Sequence, residues 1–94
     1  MKVILQKSPK PGKKWRVIFE GRHVDFGAAG YQDYTMHKDP ARMIRYLTRH
    51  RRSENWTFAG RYKAGFWSRW LLWSKPSLNQ AKRLIKQKFK LDLS

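Results

Sequence analysis

Lys14-Trp15-Arg16-Val17-Ile18-Phe19-Glu20-Gly21-Arg22-His23-Val24-Asp25-Phe26, residues 14–26, alternates apolar and polar side chains on both sides of a two-residue break. Trp15, Val17 and Phe19 fall on one face, with Arg16 and Ile18 on the other. After Glu20-Gly21 the alternation resumes, Val24 and Phe26 against His23 and Asp25. A period of two interrupted by a turn dipeptide is the pattern of a β-hairpin with one apolar face. Upstream, Val3-Ile4-Leu5 is a β-prone run closed by Lys7-Ser8-Pro9-Lys10-Pro11-Gly12, whose prolines and glycine make a loop. The β region is therefore expected over residues 1–27, as a hairpin or, with the N-terminal run, a three-stranded antiparallel sheet.

Downstream the period changes. Gly27-Ala28-Ala29-Gly30 breaks the alternation, and Tyr31 to Lys38 reads as a loop or short helical turn. Asp39-Pro40 starts a helix, with Asp as cap and Pro at the first helical position. That helix is expected over residues 39–55, with Met43, Ile44, Leu47 and Tyr46 as its buried stripe. Trp56 to Ala64 reads as a connection. Phe66 to Trp73 (66–73) gives two further helical turns. Ser77-Leu78-Asn79-Gln80 matches a capping box and opens a helix over 78–90, in which Ala81, Leu84, Ile85 and Phe89 keep a helical period. The expected fold is α+β: one domain, 1–94, with two or three helices packed on the sheet.

Composition narrows the function. Against 22 Lys and Arg stand six Asp and Glu, a formal net charge of +16. Such a chain meets its counter-charge in a partner: phosphate backbone, anionic lipid or an acidic protein. It is not a disordered basic tail, because 40% of the residues are hydrophobic and five are Trp, enough large apolar surface for a core. Without cysteine there is neither disulfide nor thiol chemistry. Met1 to Gln6 is too short for a leader peptide, and Gly65 to Trp73, interrupted by Arg69, is too short to span a bilayer. A soluble chain is expected.

Between Arg42 and Lys90 a single acid, Glu54, stands among the cations. Arg42, Arg45, Arg49 and Arg52 are spaced three, four and three apart, so they share a helix face and form a candidate phosphate-contacting row. Lys82, Arg83 and Lys86 give a second basic surface. Ser8-Pro9-Lys10, followed by Lys13 and Lys14, is a loop whose lysines also reach phosphate, similar to Ser-Pro-Lys turns of basic chromatin proteins. The indoles of Trp67 and Trp70, with Phe66 and Trp73, are read as core, although an exposed pair would make a base-stacking platform or a homodimer patch. Among the titratable side chains, Asp33 and His37 are placed to consider as metal ligands, the basis of a nuclease reading. No spacing matches a hydrolase, and no catalytic group, metal or cofactor is assigned.

The strings Val24-Asp25-Phe26-Gly27-Ala28-Ala29-Gly30-Tyr31-Gln32-Asp33-Tyr34-Thr35-Met36-His37-Lys38-Asp39, Arg45-Tyr46-Leu47, Arg49-His50 and Gly65-Phe66-Trp67-Ser68-Arg69-Trp70-Leu71-Leu72-Trp73, with Lys75-Pro76-Ser77-Leu78, carry a resemblance over roughly residues 14 to 89. The chain resembles a family of small basic proteins of large nucleocytoplasmic double-stranded DNA viruses of eukaryotes. That resemblance brings no active site. It implies a virion, viral factory or host-nucleus setting and raises two structural roles. One is non-catalytic nucleic-acid binding, double-stranded DNA preferred, in genome packaging or organisation. The other is a minor capsid component seated on acidic virion proteins. A metal-dependent nuclease is the third reading.

Overall fold

The computed structural model describes residues 1–94. Three antiparallel strands open the chain: β1 (Lys2–Lys7), β2 (Lys13–Phe19) and β3 (Arg22–Ala28). Trp15 pairs with Phe26 and Val17 with Val24, which places the apolar alternation of both strands on one face. The β2–β3 turn has positive φ at both central residues, Glu20 and Gly21, the geometry that suits the right-handed twist of a tight hairpin. Glutamate is an unusual choice there. Its carboxylate is anchored by the Tyr62 hydroxyl, which donates to Oε2 at 2.7 Å.

Four helices follow: α1 (Tyr34–His37), α2 (Pro40–His50), α3 (Ala64–Trp67) and α4 (Leu78–Phe89); α3 and α4 contribute to the core shared with the sheet, and α1 and α2 do not. Asp33, Asp39 and Ser77 each accept a backbone N–H of the helix that follows, so α1, α2 and α4 start at capped ends. Asp39-Pro40 and Ser77 act as the sequence implies. A 3₁₀ turn, Phe58–Gly60, interrupts the connection, and α3 runs directly into a π turn, Ser68–Leu72. No helix is long and apolar enough to cross a membrane.

Twelve buried side chains join the layers, among them Val17, Phe19 and Phe26 from the sheet, Phe66, Trp67 and Leu72 from the α3 region, and Ile85 from α4. Gly27 lies where the layers approach most closely: with φ +80°, a Cβ there would stand 2.9 Å from Leu72 Cδ1. Any larger residue would meet both a strained backbone and a clash.

Several element bounds differ from the sequence expectation. β3 continues one residue beyond 27, to Ala28. The segment expected at 66–73 starts at Ala64 and changes to π geometry from Ser68. The last helix ends at Phe89, with Lys90 in the left-handed conformation as its cap. α2 stops at His50 rather than near 55. Its end is set by Glu54, which turns back so that Oε2 lies 3.1 Å from His50 Nδ1 while Oε1 accepts from Trp56 Nε1 at 2.9 Å. A further strand, β4 (Asp92–Leu93), was not legible in the sequence. It pairs in parallel with β1, giving a sheet of order β3-β2-β1-β4.

The buried stripe of α2 also differs. Tyr46 is the buried residue, Met43 and Leu47 are half-buried, and Ile44 is 58% exposed. At 3.6 residues per turn Ile44 lies about 160° around the helix from Tyr46, so burying one exposes the other.

On the outer face of the sheet, Arg16 and Asp25 are cross-strand partners. Arg16 Nε and Nη2 donate to the two Asp25 oxygens at 2.9 and 3.1 Å, and Ser8 Oγ donates at 2.6 Å. The Arg16 bond first, then that from Ser8, hold the Asp25 carboxyl at about 2, against an ordinary 3.8. Because the folded value is the lower one, the pair stabilises the fold above about pH 4, and this contribution drains away as pH falls toward 2. Asp25→Asn is expected to lower the urea midpoint at pH 7 and to flatten its fall between pH 4.5 and pH 2.5. An unchanged acid limb in the variant would assign that limb to other carboxylates.

Candidate nucleic-acid interface

The candidate interface starts from the angular positions on α2. With Tyr46 facing inward, Arg42, Arg45 and Arg49 lie together on one flank, each within about 100° of it. Tyr46 is fixed by stacking. Its ring lies 4.2 Å from Trp73 with an interplanar angle of 3°, and His50 stacks on it at 4.3 Å. Trp73 reaches this position because the π turn ends at Leu72 and releases the chain toward α2. Burial pushes the Tyr46 hydroxyl well above its ordinary pKa, so the ring stays a neutral spacer.

Between this flank of α2, the start of β2 and the α3 region lies a cleft of about 490 Å³. Lys13, Lys14, Arg42, Arg45 and Arg49 line it, together with Asp33 and Glu54. Both carboxylates are already engaged. Asp33 accepts from Lys14 Nζ at 2.7 Å and from the backbone and hydroxyl of Thr35. Glu54 is held by His50 and Trp56 and packs on Gly65, where a Cβ would lie 2.7 Å from its Cδ. Lys13, Arg42, Arg45 and Arg49 are left without an acidic partner; Arg42 donates only to the Gln32 side-chain oxygen, at 3.0 Å. Four unneutralised cations therefore converge on one concavity. The wider charge is equally uncompensated: only Lys14, Arg16, Arg61 and Lys86, of 22 Lys and Arg, lie within 4.0 Å of a carboxylate.

The expected site residues divide between this cleft and other surfaces. Arg42, Arg45, Arg49 and Lys13 come together. Lys14 joins them but is spent on Asp33. Arg52 does not join the row, because α2 has ended two residues earlier and Arg52 sits in an exposed turn. Lys10 is exposed in the β1–β2 loop and does not reach the cleft. Lys82, Arg83 and Lys86 lie on α4, outside it, with Lys86 3.9 Å from Asp92.

Asp33 and His37 do not form a ligand pair. Asp33 caps α1 and carries the Lys14 ion pair, while His37 Nδ1 accepts from the Asp39 N–H at 2.9 Å. That bond leaves the imidazole proton on Nε2, which is buried without a partner. Burial, reinforced by Arg42, holds the imidazole below its ordinary pKa and keeps it neutral.

The aromatic block serves the core. Phe66 and Trp67 are fully buried, and Trp70 and Trp73 pack against them. Trp70 also carries the Arg69 guanidinium 4.3 Å above its ring. No indole appears among the exposed large apolar side chains, which are Met1, Ile4, Tyr31, Met36, Ile44 and Phe58. The exposed aromatic rings are Tyr31 and Phe58 instead.

Sequence reasoning missed Tyr31 and Gln32 as cleft residues and placed His50 only at the border of the cationic surface. His50 carried a signal, lying four residues after Tyr46 on the same helix; Tyr31 and Gln32 sit in a segment with no period.

Searches of curated proteins and of solved structures find no match. Residues 3–50 match a family model described as a family of unknown function (DUF5754). The matched stretch contains β1 to α2 and all four unpaired cations of the cleft.

Proposed function

The chain belongs to the family of unknown function DUF5754, and we propose for it a non-catalytic role in binding nucleic acid, double-stranded DNA first, by neutralising phosphates. The observation that carries this reading is the convergence of Lys13, Arg42, Arg45 and Arg49 on one concavity whose carboxylates are already taken. Guanidinium groups with no internal counter-ion are matched best by phosphate oxygens, which arginine bonds in a planar, bidentate fashion. Arg45, Arg49, Arg51 and Arg52 are exposed and extend the positive surface beyond the cleft mouth, and Lys82, Arg83 and Lys86 supply a second surface on α4. Burial of Phe66 and Trp67, with Trp70 and Trp73 packed against the core, leaves less ring surface for stacking on unpaired bases and favours a duplex partner. Viral genome packaging or organisation, in the virion, the viral factory or the infected nucleus, is the setting that the sequence resemblance suggests.

A labelled duplex titrated with the protein across a salt series tests the reading. Affinity is expected to fall linearly on a log–log plot with a slope of about −3.6 or steeper, at 0.9 per neutralised phosphate for four cations. Absence of binding at 50 mM salt, or binding indifferent to salt, overturns it. A second reading, a capsid component on acidic virion proteins, draws on α4, whose Arg83, Lys86 and Lys88 are exposed, with Lys90 exposed at its cap, outside the cleft. It requires a defined stoichiometry with a coat protein that persists after nuclease treatment.

A further inference from the structure

We infer that the cleft holds one nucleoside di- or triphosphate, free or as the phosphorylated 5′ end of a strand, with its phosphates on Lys13, Arg42, Arg45 and Arg49 and its base on Tyr31. This rests on the phosphate-binding reading above and names the occupant of one part of that surface.

Size is the first argument. At about 490 Å³ the cleft falls within the roughly 300–1,000 Å³ of small-molecule sites, with room for one nucleotide-sized ligand. Charge is the second. A lone phosphate monoester brings about −1.5 to −2 and would leave about half of the four cations unmatched; a di- or triphosphate matches them. Asp33 is paired with Lys14, and Glu54, the other carboxylate of the wall, is held back by hydrogen bonds to His50 and Trp56. Placement is the third. Lys13 comes from the start of β2 and the three arginines from α2, so two separate elements bring charge to the same cleft.

Tyr31 supplies the base contact. It lines the cleft yet is 73% exposed, the most exposed large apolar side chain in the molecule. The other aromatic rings of the wall, Tyr46 and Trp73, are stacked on each other. Tyr31 alone has a ring free to receive a flat heterocycle, and stacking of that kind does not select among bases. Nothing inside the fold explains its exposure.

Calorimetric titration of the whole protein with adenosine triphosphate and with inorganic triphosphate tests the assignment. The nucleotide is expected to bind about ten-fold more tightly, the contribution of one stacked base. Tyr31→Ala should erase that preference and leave inorganic triphosphate binding unchanged. Arg45→Gln, an exposed position, should weaken both ligands about ten-fold through loss of a charge-assisted bond. A nucleotide no tighter than inorganic triphosphate, or a preference that survives Tyr31→Ala, overturns the inference.

Two further arms separate the sources and the parent reading. An oligonucleotide with a 5′-triphosphate that displaces the nucleotide better than its 5′-hydroxyl twin identifies a strand end as the natural ligand; equal displacement assigns the cleft to free nucleotide. Closed circular DNA has no ends. If it binds with a steep salt response while the nucleotide does not bind at all, the inference fails and the duplex reading stands. Nucleotide binding without duplex binding gives the reverse.

Discussion

Exchanging Arg42, Arg45 and Arg49 together for glutamine is expected to weaken duplex binding at 0.15 M salt by about 100-fold or more and to reduce the log–log salt slope by about 2.7. The slope follows from three lost phosphate contacts at about 0.9 each. The loss in affinity follows from three charge-assisted bonds, discounted because exposed Arg45 and Arg49 are partly screened by water and salt. Glutamine keeps the chain length and hydrogen-bonding capacity, so α2 and its Tyr46–Trp73 stack should survive; near-ultraviolet circular dichroism checks that. The matched control is Lys82, Arg83 and Lys86 changed to glutamine on α4. It removes the same formal charge, but from side chains that do not converge on a concavity, and should cost less affinity. If the α4 variant loses more than the α2 variant, the duplex interface lies on α4 and not at the cleft.

The largest effect on the fold itself is expected from Trp67→Ala. Trp67 is fully buried, edge-on to Phe66 at 5.0 Å and tilted against Phe19 at 5.6 Å, and its Nε1 donates to the Arg61 carbonyl at 2.7 Å. Truncation removes the ring that joins α3 to the sheet, leaves a cavity, and takes away the bond to the Arg61 carbonyl. Changes of this kind cost about 3–5 kcal/mol, a large share of the 5–15 kcal/mol that keeps a domain folded. The urea midpoint should fall by about 2 M. Trp67→Phe keeps most of the apolar volume and loses the hydrogen bond, so its loss should be under half as large. A shift below about 0.5 M for the alanine variant would mean that this ring is not what holds the layers together.

Legibility in the sequence followed the range of the forces involved. The hairpin was readable because alternation at Trp15, Val17, Phe19, Val24 and Phe26 is local, and the same holds for the caps at Asp39 and Ser77. The end of α2 was not, because Glu54 acts through His50, Trp56 and the bare Cα of Gly65, partners that only folding brings together. β4 has two residues and no period; its pairing with Lys2 and Val3 exists only in three dimensions. In the cleft, the three-four spacing of Arg42, Arg45 and Arg49 was sufficient to predict a common flank. The neutralisation of Asp33 by Lys14, 19 residues away, was not contained in any spacing. That pair keeps the Asp33 carboxylate from competing for the arginines of a pocket in which cations already outnumber acids.

The clasp between the two ends of the chain bears on the order of folding. The Met1 amino group donates to the Lys90 carbonyl across 89 residues, and the Ser94 N–H reaches the Val3 carbonyl. Contacts of that span must wait for a very long loop to close, whereas the β2–β3 hairpin closes through two residues. On a ribosome, β1 would stand as an unpaired sheet edge on one side until residues 92–94 had left the exit tunnel. The hairpin is therefore the early nucleus, and the edge of β1 beside β4 is the last backbone surface to be sealed from neighbouring chains.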